Sequence, residues 1–76
     1  MRTGYAIHDR HEHGWLHTRM NMDGVSVPVT IYVEDEEDAM VFHKLKDARA
    51  MLKVIRKDHR RPEQVRILNF KGRVVS

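Results

Sequence analysis

Residues 44–61 read KLKDARAMLKVIRKDHRR. If this stretch coils, the chain is a mixed α and β domain. If it does not, the alternating segments on either side have no apolar layer to pack against. At about 100° per residue, with Leu45 set at zero, Leu45, Ala48, Met51, Leu52 and Ile55 fall within an arc of roughly 120°. The spacing predicts a helix over 45–59. Asp47 stands in its first turn, where a negative charge meets the helix dipole favourably. Pro62 helps to stop it.

The segments on either side read as strands. Tyr5 to His8 forms a short one, with Tyr5 and Ile7 on one face. Trp15 to Met20 forms a second. Its alternation sets Leu16, Thr18 and Met20 on one side and Trp15, His17 and Arg19 on the other. Asn21-Met22-Asp23-Gly24 is a turn signal, because Asp-Gly tolerates the positive φ of a tight hairpin. From Val25 to Val33 the valines and Ile31 alternate with Ser26, Pro28, Thr30 and Tyr32. Pro28 cannot donate to a ladder, so this strand is expected at an edge or with a bulge. EDEED at 34–38 reads as a solvated loop, and Ala39 to Phe42 as a brief extended piece. Gln64 to Phe70 is the last full strand; Lys71-Gly72 is a turn, with a short terminal strand at Val74-Val75. The predicted architecture is α+β: a small antiparallel sheet of about four strands, in the order β-β-β-α-β, with the amphipathic helix packed on one face.

Size and composition set bounds on function. The 76 residues are expected to form a single domain. A chain this short buries only about 60% of the surface that its unfolded form exposes. There is no cysteine, so neither a disulfide nor a thiolate nucleophile is available. No run of 18 apolar residues exists to span a membrane. The opening MRTGYAIHD lacks the apolar stretch of a signal peptide, and a cytoplasmic location is the expectation. The net charge of +3 conceals a block layout: residues 34–38 carry −5 and residues 39–61 carry +6. Such a dipolar surface bears on the choice of partner.

The positive block is sorted. On the same helical wheel Lys46, Arg49, Lys53, Arg56, Lys57 and Arg60 gather within an arc of roughly 100°, centred well away from the apolar one. Like charges at this spacing repel by tenths of a kcal/mol per pair. An anionic partner, either an acidic protein surface or a phosphate backbone, would relieve that repulsion. The other reading is a solvated amphipathic helix whose aliphatic stems cover the sheet edge. The helix holds no aromatic of the kind that single-strand binders interleave with charge. Trp15, the only tryptophan, belongs either to the core or, with Leu16 inward, on the opposite sheet face beside Arg19. Trp and Arg are enriched as interface anchors, so Trp15 and Arg19 form a second candidate surface.

Other constellations carry less. His8, His11, His13 and His17 cluster with Asp9 and Glu12, a donor set that suits a divalent ion. His11 and His13 are the ligands such a site would use, yet their spacing follows no established motif, and neither metal nor cofactor is expected. EDEED lacks the alternate spacing and turn glycine of a calcium loop. Ser26 and Ser76 are the only serines, and the glycines are isolated, so catalysis is not expected; a histidine-based metal enzyme is the distant alternative.

Tyr5-Ala6-Ile7, Gly14-Trp15-Leu16, Glu37-Asp38-Ala39-Met40-Val41-Phe42, Asp47-Ala48-Arg49 and Val65-Arg66-Ile67 together resemble small phage and prophage proteins of uncharacterised families. The resemblance touches most of the chain through short motifs. Those proteins commonly begin the helix with Ser or Thr, where this chain has Lys44. The resemblance implies a non-enzymatic accessory protein that binds a host or phage macromolecule and in some cases blocks it. The sequence expectation is therefore a binding module with a protein partner. Direct, sequence-independent nucleic-acid binding by the same basic stripe is the alternative, and a homodimer stays open.

Overall fold

In the computed structural model, which describes residues 3–10, 14–20, 24, 28–71 and 73–75, the basic stretch coils over Leu45–Asp58 (α1). Ala48, Leu52 and Ile55 are its buried residues, the apolar arc that the spacing predicts. Arg56 and Lys57 stand in its last turn, where cations complement the dipole. His59 leaves the helix with extended backbone, one residue before the predicted end. A 3-10 turn at Pro62–Gln64 then leads into the final strand.

That strand is β4 (Val65–Asn69); the earlier ones are β1 (Tyr5–Asp9), β2 (Gly14–Met20) and β3 (Val29–Val33). They form one antiparallel sheet in the order β3-β2-β1-β4, with α1 packed against it. β3 lies at an edge and its described span begins just after Pro28, as the missing donor requires. The Val25–Val27 part of the predicted strand, and Asn21–Asp23 of the predicted turn, lie outside the described residues. Gly24 has the positive φ, +79°, that the turn signal anticipates. EDEED is not a plain loop: Glu36–Asp38 winds into a 3-10 turn.

Ile7, Leu16, Val65 and Ile67 project from the sheet onto Ala48, Leu52 and Ile55 of α1, and all of them are buried. Ala48 has no exposed surface, and its small side chain lets the helix approach the strands closely. Complete burial of a Leu or Ile side chain contributes about 1.5–3 kcal/mol, so this patch dominates the stability of so small a domain.

The β2–β3 register departs from simple alternation. Trp15 faces Val33 and Leu16 faces Tyr32, but Thr18 then faces Ile31 and Arg19 faces Thr30. His17 is the extra residue of a β-bulge, and one extra residue exchanges the two faces of everything beyond it. The expected grouping of Leu16 with Thr18 and Met20 is thereby overturned. So is the expected placement of Arg19 beside Trp15: Arg19 turns to the helix side of the sheet.

β1 and β2 also part early. Their register runs only through Asp9↔Gly14 and His8↔Trp15. Beyond it the N–H of Met40 donates to the Leu16 carbonyl at 2.8 Å, and Tyr5 and Phe42 exchange both backbone hydrogen bonds at 2.8 Å. The predicted extended piece at 39–42 thus bonds to both diverging strands. Met40 and Phe42 pack against the core from this position. At the other edge Val75 donates to the Ile67 carbonyl at 2.8 Å, and Val74 bridges Leu68, which is the predicted terminal pairing.

Gly14 makes the start of β2 possible. Its φ is +83°, and a Cβ there would sit 2.5 Å from the Val33 carbonyl oxygen. A Cβ on Gly24 would meet nothing within 4 Å. Replacing Gly14 with Ala is expected to destabilise the fold by about 1–3 kcal/mol, and by more than Gly24→Ala, in urea unfolding. Equal costs at the two positions would contradict the close approach.

Candidate interaction surfaces

The basic stripe of α1 divides in two. Lys46, Arg49, Lys53 and Lys57 are exposed along α1, whereas Arg60, expected on the same helical stripe, lies beyond the helix end at Asp58 because His59 is already extended. Arg60 is exposed too, and among the described residues no ion pair engages any of the five. Arg56 differs, because it borders the apolar arc on the wheel, at roughly 20° from Leu45. Its Nε donates to the Pro62 carbonyl at 3.1 Å and its Nη2 to the Val65 carbonyl at 2.7 Å. It therefore ties the chain after the helix back onto α1, and this role sets it apart from the other five. The stripe consequently flanks the β4 side of the helix.

The opposite flank is held by Arg19. Its Nη1 donates to Thr30 Oγ1 at 2.6 Å and its Nη2 to Asp58 Oδ2 at 3.2 Å, linking β2 and β3 to the end of α1. Arg19 is thus occupied inside the fold, and of the expected sheet anchor only Trp15 stays on the face away from the helix. His17 Nδ1 lies 2.6 Å from the Asp38 carbonyl oxygen, which holds the acidic turn beside β2. The acidic and basic blocks accordingly occupy different flanks.

A third cluster escaped the sequence reading. Asp9 alternates with Ile7 onto the helix side of β1, and its side chain is fully buried. His59 Nε2 lies 2.6 Å from Asp9 Oδ2, while His59 Nδ1 accepts the Arg61 N–H at 2.9 Å. The second bond places the ring hydrogen on Nε2, which donates to the carboxylate. Both ring nitrogens are thereby committed, so the pair pins the helix end to β1. The Asp9 charge also reaches Tyr32: burial, and after it Asp9, raises the Tyr32 phenol above its ordinary value, against the opposing pull of Arg19. An acid at an inward-facing position of YAIHD was the available sequence signal.

The open face of the sheet carries a row set by register: Arg66 on β4, His8 on β1, Trp15 on β2 and Val33 on β3. These residues alternate with the buried Ile67, Ile7 and Leu16 and the partly buried Tyr32, and so point away from α1. The His8 and Trp15 rings meet edge to face, with centroids 4.7 Å apart and planes at 63°. Burial lowers the His8 pKa below its ordinary 6.5, assisted by Arg10 and opposed by Asp9. The neutral ring is therefore the favoured form at pH 7.

Among the described residues no group of three or more His, Cys, Asp or Glu side chains is arranged to hold a metal. The weak metal candidates His11 and His13 lie outside the described residues. Among the described residues no helix is long and apolar enough to cross a membrane. Comparison with protein-family models, with curated proteins and with solved structures finds no match for this chain.

The division of the basic stripe has a measurable consequence. Arg56→Met, which keeps most of the stem but loses both carbonyl contacts, is expected to destabilise the fold by about 1–3 kcal/mol. Lys53→Met and Lys57→Met are expected to stay within about 0.5 kcal/mol of the parent. Thermal or urea unfolding of the three variants decides it, and equal effects would return Arg56 to the exposed set.

Proposed function

We propose that this chain is a non-enzymatic accessory protein that docks on the acidic surface of a protein partner through the exposed basic face of α1. The partner belongs to a host or phage macromolecular machine, in keeping with the phage-type resemblance, and docking modulates or restrains it. One observation carries this reading. The fold uses Arg19 and Arg56 internally but leaves Lys46, Arg49, Lys53 and Lys57 along one side of a 14-residue helix, with Arg60 just beyond its end, all without ion pairs among the described residues. Their mutual repulsion costs tenths of a kcal/mol per pair, and an acidic partner removes it.

The experiment compares the parent with the triple variant Arg49→Glu, Lys53→Glu, Lys57→Glu after matching their melting curves. Affinity capture from bacterial lysate is expected to recover a stoichiometric protein with the parent and to lose it with the variant. Undiminished capture by the variant would refute docking through this face. Nucleic acid is the other anionic partner that the stripe fits. Titration with duplex DNA separates the two: binding through several phosphates weakens by roughly tenfold or more between 50 and 200 mM salt.

A further inference from the structure

The open sheet face points to a function beyond that of the helix stripe. We infer that the row Arg66–His8–Trp15 is a stacking platform for single-stranded nucleic acid, with bases against the two rings and phosphates along the Arg10 and Arg66 edge. The inference rests on the strand register and does not require the helix-docking reading.

Four observations carry it. The rings stand on the two central strands of a four-stranded antiparallel sheet, on the face that α1 leaves uncovered. An open sheet of this kind presents aromatic side chains at a spacing that unstacked bases can match, whereas a duplex keeps its bases inside. The 4.7 Å edge-to-face contact positions the indole and imidazole against each other without face-to-face stacking, so π-surface remains for a base. Neutral His8 joins this apolar platform as an uncharged ring.

The charges around the rings are complementary to a phosphate chain along one edge only. Arg66 is the direct cross-strand neighbour of His8, and Arg10 is close enough to bear on the His8 pKa. A groove of about 460 Å³, lined by Arg66, Arg56, Pro62, Glu63 and Val74, continues from that edge towards the helix flank. Glu34 follows Val33 at the far end of the row, and Glu63 borders the groove. The Glu34 charge repels phosphates from the far end of the row, whereas Glu63 stands on the arginine side and offsets part of the positive charge there.

Trp15 is the only tryptophan, so its fluorescence reports directly on the platform. The test titrates the full chain with a single-stranded thymidine oligonucleotide and with a duplex of equal length at 50 mM salt. Quenching of Trp15 by the single strand, with markedly weaker binding of the duplex, is expected. Trp15→Leu, followed by anisotropy of a labelled oligonucleotide, is expected to weaken binding on the order of tenfold, in the range for loss of one base–aromatic stack. Trp15→Phe keeps a stacking ring and is expected to retain most of the affinity. Arg66→Gln is expected to weaken binding and reduce its salt dependence. If Trp15→Leu lowers the melting temperature, the Phe and Gln variants carry the test.

Three results would overturn the inference. One is the absence of quenching at low salt, which would leave the face for a protein partner. Another is equal affinity for single strand and duplex. The third is loss of binding in the Arg49, Lys53, Lys57 reversal with full retention in Trp15→Leu, which would assign binding to the helix charge alone. Failure of the lysate capture leaves this platform standing, and loss of the platform leaves helix docking standing.

Discussion

The burial of one side of α1 against β1, β2 and β4 is the constraint from which the rest of the molecule follows. Ala48, Leu52 and Ile55 meet Ile7, Leu16, Val65 and Ile67, and these few residues form nearly all of the buried apolar core. Among the described residues no second layer of elements covers the other side of the sheet. Seating the helix on one face therefore exposes two surfaces at once: the outer side of α1, and the face of the sheet that bears Trp15. Both are consequences of scarcity in the core, and both are open to partners of different chemistry.

Electrostatics then separates structural cations from available ones. A guanidinium beside the apolar arc can lie along the fold while its fork reaches carbonyls, and Arg56 does so on the β4 side. Arg19 fills the equivalent place on the β2 side because the bulge at His17 turns it inward towards Asp58. Between these two ties, the Asp9–His59 pair fastens the end of the helix to β1. The remaining cations of α1 lie beyond the reach of the sheet. The acidic turn is held away from them beside β2, by His17 and by the Met40 to Leu16 bond. The dipolar charge layout of the sequence thus becomes a spatial separation on the fold.

What was legible in the sequence was local. The spacing of Leu45, Ala48, Leu52 and Ile55 marks a helix, and alternation marks the strands, because each pattern repeats within a few residues. The exposed set on α1 was legible for the same reason. The bulge was not: one extra residue at His17 leaves the surrounding pattern intact, yet it moves Arg19 to the other face. The wedge at Met40–Phe42 depends on where two strands separate, which no short window records. The Arg66–His8–Trp15 row joins the consecutive strands β1 and β2 to β4 at the far end of the sequence, and only the register brings Arg66 beside His8. Asp9 was readable in part, since alternation already turned it inward, but its partner His59 is 50 residues away.

The absence of cysteine makes the central packing directly measurable by thiol labelling. Ala48 has no exposed surface, while Ala50, two positions along the same helix, is exposed. Introduced singly, Ala50→Cys should react with a thiol reagent at the rate of an unfolded peptide. Ala48→Cys should be protected by orders of magnitude until denaturant unfolds the domain. Equal native-state rates at the two positions would contradict the packing of α1, and with it both surfaces described above.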